Sequence, residues 1–253
     1  MISTDLYYQL LALWMGVGFV SFFLLLRQRQ PYGRHLTPGW GPLIPNQLGW
    51  MIMEGVAPVF ISYWYWTGTQ EKTMTGHFFY GMYVLHYVYR SFIFPFLTHT
   101  RGKKIPLVIS GSAVFFNFCN TFILGYYLGN IGGQYSDDYF LSFRFIGGLV
   151  IMLTGFYINF RSDNMLIALR KPGETGYKIP FGFLFNKVSC PNHFGEIVEW
   201  FGFALMMGSA AGWSFALWTF VNLVPRAMDH HRWYQEQFPD YPKDRRAVIP
   251  HIL

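Results

Sequence analysis

The sequence predicts an all-α polytopic membrane protein of seven transmembrane helices, and three observations carry that reading. Only 13% of its 253 residues are charged, while 52% are hydrophobic and 21% aromatic; a water-facing domain usually carries about 25% charged residues. Several stretches approach the roughly 20 apolar residues that a helix needs to cross a bilayer. Lysine and arginine gather in every second loop, the pattern that marks the cytoplasmic side of a multi-pass protein.

The spans follow in order. The first, LYYQLLALWMGVGFVSFFLLL at 6–26, holds no charge. Met1 to Asp5 contain no basic residue and the run ends in RQRQ, which reads as a stop-transfer flank and not as a cleaved signal peptide. Further apolar runs cover 49–66, 76–97, 105–129 and 139–160. The last two, 194–208 and 213–230, are separated only by GSAAG. One helix over both would far exceed the bilayer, so a break is expected at Gly208 to Gly212.

The loops orient these spans. Arg27, Arg29 and Arg34 follow the first; Arg101, Lys103 and Lys104 follow the third. Arg161, Arg170, Lys171, Lys178 and Lys187 follow the fifth, and Arg232, Lys243, Arg245 and Arg246 follow the seventh. The intervening loops hold Glu71 with Lys72, then Asp137 with Asp138, then no charge. The amino terminus is therefore expected outside and the carboxyl terminus in the cytoplasm. The net charge of +6 is accounted for by this orientation, so no nucleic-acid partner is expected. Without an internal repeat, the chain reads as a single membrane-embedded domain over 1–253. Cys119 and Cys190 give neither a disulfide framework nor a metal-ligand spacing, and no metal is expected. A retinal protein is excluded because the last two spans contain no lysine for a Schiff base. GNIGG at 129–133 lacks the spacing and the preceding strand of a nucleotide loop.

Ionisable groups inside spans are rare and point to function. Here they are Glu54, His86, Arg90, Arg144, Glu196 and Glu199, with Arg226 and His230 near the end of the seventh span. Residues four, seven or eleven apart share a helix face. Asn159, Asp163 and Arg170 would line one face if the fifth span continues beyond the membrane; Asn192 and Glu196 stack at the start of the sixth; Arg226, His230 and Tyr234 line the end of the seventh. All three stripes lie at the cytoplasmic ends of their helices. Together they would wall a pocket suited to a phosphorylated, water-soluble ligand, since arginine forks bind phosphate and Asn or Glu address amides and hydroxyls.

A second group lies deeper. Glu54 sits inside the second span, and Tyr83, Tyr87 and Arg90 share a face of the third. A carboxyl group in an apolar site can stay protonated and donate a hydrogen bond, and such an acid beside a tyrosine hydroxyl can hold a developing enolate. Structural roles compete with these. Arg90 and Arg144 could equally be partners of intramembrane acids, and Glu199 reads as a helix-packing or loop-tethering group. Cys119, Cys190 and the methionines read as packing residues, and His86 and His231 as structural.

Three stretches give these residues a family context. NMLIALRKPGETGYKIPFGFLF, NHFGEIVEWFGFAL and PRAMDHHRWYQEQFPDYPKDRRAVIPHIL resemble the C-terminal half of steroid 5-alpha-reductases. LHYVYRSF at 85–92 resembles the HYxxR segment of that family. The resemblance is dense from about Tyr83 onward and thin in the first span. RKPGE together with FGEIxEW is its specific part, because the tail pattern also occurs in sterol reductases and isoprenylcysteine methyltransferases.

The resemblance implies seven helices, NADPH bound at the cytoplasmic end and a steroid or steroid-like lipid entering from the membrane. Carried over by position, Asn159, Asp163, Arg170, Tyr177, Asn192, Glu196, Arg226, His230 and Tyr234 would hold the cofactor, and Glu54 and Tyr87 the 3-keto oxygen. Arg170, Lys171 and Arg226 carry more positive charge than a pyrophosphate needs, which favours NADPH over NADH. One departure stands out: Met53 replaces the glutamine found in steroid-active members. The expected activity is NADPH-dependent reduction of the Δ4 bond of testosterone- or progesterone-like 3-oxosteroids to 5α-dihydro products. Related enone, polyprenol or enoyl-thioester reductases and a membrane S-adenosylmethionine-dependent methyltransferase are the alternatives. A monomer is expected, in the endoplasmic-reticulum membrane of a eukaryote or the inner membrane of a bacterium.

Overall fold

The computed structural model describes residues 1–98, 100, 102–132, 135–170, 174 and 176–253. Arg101, Gly133 and Lys171, named above, lie outside the described residues, as do Pro172 and Gly173 of RKPGE. The chain forms two compact units, Met1–Leu11 with Gln30–Ser142, and Ala12–Arg29 with Phe143–Leu253. Helix α1 (Thr4–Arg27) contributes to both.

In the first unit a two-stranded antiparallel ribbon pairs β1 (Leu43–Pro45) with β2 (Lys104–Pro106), Ile44 opposite Ile105. Each strand ends in a proline that caps the next helix, α2 (Asn46–Trp66) after Pro45 and α5 (Leu107–Tyr126) after Pro106. Proline lacks the N–H that a helix start leaves unpaired, so it costs nothing there. Launched side by side, α2 and α5 run parallel: Gly49 lies against Ser110, and Gly125 against Ile61 and Trp64. Between them, α3 (Met74–Val88) returns antiparallel to α2. Ser62 Oγ and Tyr80 OH are 2.8 Å apart, the Tyr65 hydroxyl meets His77 Nδ1 at 3.0 Å, and the Tyr65 and Tyr80 rings stack at 4.7 Å. Thr73 caps α3 by accepting the Gly76 N–H. The Lys72 ammonium donates to the carbonyls of Gly68 and Gln70, and burial lowers its pKa from the ordinary value. The third expected span is interrupted: a π-helical turn at Tyr89–Ile93 separates α3 from α4 (Phe94–Leu97).

In the second unit α6 (Phe143–Ala168) and α7 (Pro191–Met207) are antiparallel and meet backbone to backbone. Gly148 and Gly155 on α6, and Gly195 and Gly202 on α7, are each seven positions apart, two turns that return to one face. A Cβ at Gly155 would fall on the Glu199 backbone nitrogen, at Gly195 on that of Asn159, at Gly202 on that of Met152. Small residues that let backbones touch are a device of membrane helix pairs, where lipid offers no hydrophobic drive. At the far end of the seam the Arg144 side chain packs on Gly208, in the left-handed conformation that ends α7. A cation at a helix C-terminus is favourable.

The expected break between the last spans is real but narrower than Gly208 to Gly212. Ser209 caps α8 (Ala210–Gln237) through the Gly212 N–H, which draws Ala210 to Gly212 into the helix. The fifth span also starts later than expected, at Phe143, because Asp137–Leu141 wind into a 3-10 turn. The later part of α1 joins α8 through Trp14 against Trp218 at 4.6 Å, and just after the helix Arg29 is bonded to Glu236 at 2.9 Å. The carboxyl tail docks beside the start of α7: Ser189 N–H donates to Arg246 C=O and Cys190 N–H to Ala247 C=O. Among the described residues Thr4–Arg27, Leu107–Ile131 and Phe143–Ala168 are long and apolar enough to cross a membrane.

Candidate active site

Each unit carries one of the two expected polar groups. In the first, Tyr83 and Tyr87 lie one turn apart on α3 with ring centroids 4.6 Å apart, both buried, Tyr83 completely. Tyr87 and Glu54 of α2 both lie within interaction reach of the Tyr83 hydroxyl. A half-buried carboxyl and two buried phenols thus lie within interaction reach, an arrangement able to present O–H donors to one oxygen. Ser91 Oγ donates to the Tyr87 carbonyl at 2.5 Å, holding the turn where the π segment begins. In that segment the Arg90 guanidinium lies over the rings of Trp50 at 5.8 Å and Phe94 at 4.6 Å.

In the second unit α6 continues to Ala168, as the stripe reading requires, and Asn159 and Asp163 are both buried. The amide of Asn159 donates to the Asn192 carbonyl at 3.0 Å, and the amide of Asn192 donates to Asp163 Oδ1 at 3.0 Å. The glycine seam makes this possible: Gly195 lets α7 approach the Asn159 backbone, so short amide side chains reach across. Glu196 lies one turn beyond Asn192, half-buried. Glu199 is 1% exposed with its backbone against Gly155; it is a packing position inside the seam.

Arg170 is not on α6. The helix ends at Ala168, and Arg170 lies in the turn after it, so helical spacing past Ala168 no longer places it. Its guanidinium sits over the Tyr177 ring at 5.6 Å, and Tyr177 meets Trp233 of α8 edge-on at 5.0 Å. Through Tyr177 that contact links Arg170 to α8 at Trp233. His230 faces His193 of α7 with ring centroids 5.8 Å apart. Tyr234 is buried and stacks on Tyr241 at 5.2 Å. Arg226 lies within electrostatic reach of Asp229.

Helix spacing did not pick out Asp229, His193 or Trp233. Asp229 accepts from Arg232 at 3.1 Å and is 3.9 Å from Arg29, so it gathers cations around the end of α8. Its signal was available in the i,i+3 spacing to both Arg226 and Arg232.

The donor set fits a phosphate-bearing cofactor. Two guanidinium groups, two amides and the Tyr177 face share one unit, and Arg170 Nη1 is buried with no hydrogen-bond partner among the described residues. A buried unsatisfied donor of this kind is costly and is what a phosphate oxygen would relieve.

Comparison with known proteins gives the arrangement a lineage. Residues 103–253 match the family described as 3-oxo-5-alpha-steroid 4-dehydrogenase. Over 99% of its length the chain is 38% identical to steroid 5-alpha-reductase DET2 of Gossypium hirsutum, covering 98% of that protein. It is 38% identical to 3-oxo-5-alpha-steroid 4-dehydrogenase 1 of Homo sapiens, over 94% of this chain and 92% of the relative. It is 40% identical to the Rattus norvegicus protein of the same description, over 93% and 92%.

Proposed function

Because the chain belongs to the steroid 5-alpha-reductase family of oxidoreductases, we propose that it reduces the Δ4 double bond of 3-oxosteroids with NADPH. The observation that carries this reading is the grouping of half-buried Glu54 with the buried Tyr83 and Tyr87. Reduction of an enone at its β carbon gathers charge on the carbonyl oxygen, and donors organised in advance around that oxygen are worth roughly 3–4 kcal/mol each. Glu54 in its acid form and the Tyr87 hydroxyl take the 3-keto oxygen, with Tyr83 holding Tyr87 in place. Met53 makes no strong hydrogen bond through its side chain, so the carbonyl is held by the acid and the phenol alone.

Asn159, Asp163, Arg170, Tyr177, Asn192, Glu196, Arg226, His230 and Tyr234 hold the cofactor, which supplies a hydride when bound. Arg170 and Arg226 meet its phosphates, and the Asn159–Asn192–Asp163 network offers amides at fixed positions. Residues 1–253 act as one domain, a monomer crossing the membrane seven times with the amino terminus outside and the cofactor residues on the cytoplasmic side.

One experiment separates the two halves of the proposal. With a panel of 3-oxo-Δ4-steroids and NADPH, Glu54→Gln and Tyr87→Phe each lose at least about 10²-fold in turnover while NADPH binding is kept. Arg226→Ala does the reverse, raising the apparent NADPH constant. Near-normal turnover by Glu54→Gln would show that the carbonyl is held elsewhere.

A further inference from the structure

The turn of α2 that carries Glu54 is weak on its own. Pro58 stands four residues after Glu54 and lacks the N–H that an uninterrupted helix would send to the Glu54 carbonyl. At this point α5 reaches in: Asn117, 4% exposed, donates from Nδ2 to the Met53 carbonyl at 2.6 Å. Asn117 is itself held, since Thr121 Oγ1 donates to its carbonyl at 2.7 Å. Gly49 sets the spacing one turn earlier, where a Cβ would collide with Ile105 and come within 3.1 Å of Ser110 Oγ. The approach of α5 is therefore fixed from both sides of the bond.

We propose that Asn117 is a positioning residue for Glu54: its amide, bonded to the backbone of the preceding residue, fixes the interrupted turn of α2 and with it the direction of the acid. This rests on the reading of Glu54 as the carbonyl-binding group. A short buried hydrogen bond to a backbone carbonyl exchanges poorly with alternatives, because an unmade bond inside the protein costs its full desolvation. Misplacement of a catalytic group by about 1 Å can cost about 10²-fold in rate, so an indirect effect of this size is within reach of one bond.

The test is a double-mutant cycle on the full-length protein in detergent, with a 3-oxo-Δ4-steroid and NADPH. Asn117→Leu, similar in volume, lowers kcat by roughly ten- to a hundredfold and leaves the KM for NADPH unchanged. Adding it to Glu54→Gln costs nothing more, because residues that act as one unit are not additive. Asn117→Asp keeps the shape but donates only when protonated, so its turnover recovers relative to the parent as pH falls. A normal kcat for Asn117→Leu, an undiminished loss in the double variant, or an Asn117→Asp profile parallel to the parent each overturns the proposal. If Asn117→Leu does not fold, the Asn117→Asp profile decides. Normal turnover by Glu54→Gln alone overturns the underlying reading, and is told apart because Asn117 need not be touched to see it.

Discussion

Where α7 meets α6, backbone touches backbone; where α3 meets α2, rings and hydroxyls fill the gap. The first contact is made by removing side chains at Gly148, Gly155, Gly195 and Gly202. The second is made by stacking Tyr65 on Tyr80 and bonding Ser62 to Tyr80 and Tyr65 to His77. The difference lies in how each responds to change. A ring contact has side-chain freedom with which to absorb a lost atom, whereas a backbone contact has none with which to absorb a gained one. The Asn159–Asn192–Asp163 network hangs on the unforgiving contact, and the acid–tyrosine cluster on the adaptable one.

The comparison breaks most decisively at Gly195. Gly195→Ala places a methyl on the Asn159 backbone nitrogen and should cost about 3 kcal/mol or more, with NADPH binding lost alongside stability. Thermal unfolding in detergent, with and without NADPH, measures both. A folded, cofactor-binding Gly195→Ala protein would mean that the seam opens without penalty.

Tyr80→Phe probes the other side. It removes one hydroxyl from the pair with Ser62, but Ser62 Oγ keeps its bond to the Pro58 carbonyl at 2.6 Å and the ring stays on Tyr65. A loss of about 1 kcal/mol or less is expected, read as a small shift in the same unfolding assay. A Tyr80→Phe penalty as large as that of Gly195→Ala erases the distinction.

The smallest effect sharpens the comparison inside the second unit, where the carboxyl tail is held by polar contacts. His231 Nδ1 lies 2.6 Å from Ser189 Oγ and its Nε2 lies 2.9 Å from the Gln235 amide, and Ser189 Oγ also meets Tyr241 OH at 2.6 Å. Burial, and then the positive charges of Arg246 and Arg245, lower the His231 pKa from its ordinary 6.5. The unfolded chain therefore takes up the proton first. Stability is full above pH about 6.5, falls as pH drops below that value, and levels off below the lowered native pKa. His231→Gln should flatten this slope, seen as a Tm that no longer falls between neutral and mildly acid pH. An unchanged slope assigns the acid sensitivity to other groups.

Much of this was legible in the residues. The apolar runs lie close to observed helices, three of which are long and apolar enough among the described residues to cross a membrane, and i,i+4 spacing pairs Asn159 with Asp163 on α6 correctly. Spacing failed where the helix itself ends: it carried Arg170 past the end of α6, and nothing in YRSFI announces the π turn that interrupts the third span. The seam was written as glycines seven apart in both GGLVIMLTG and GEIVEWFG, but a single glycine in a helix does not say which backbone it admits. Contacts between helices far apart in sequence, such as Asn117 on Met53, depend on register, and register has no local signature.

The ribbon that launches α2 and α5 also sets an order of events during synthesis. Ile44 pairs with Ile105, so at about 5–20 residues per second roughly 3–12 s pass before the second strand follows the first from the ribosome. Through that interval the nascent chain carries Glu54 without Asn117 beside it. Until Asn117 is made, the Met53 carbonyl lacks the donor that α5 brings to it. A translational pause anywhere between Glu54 and Asn117 would lengthen that interval.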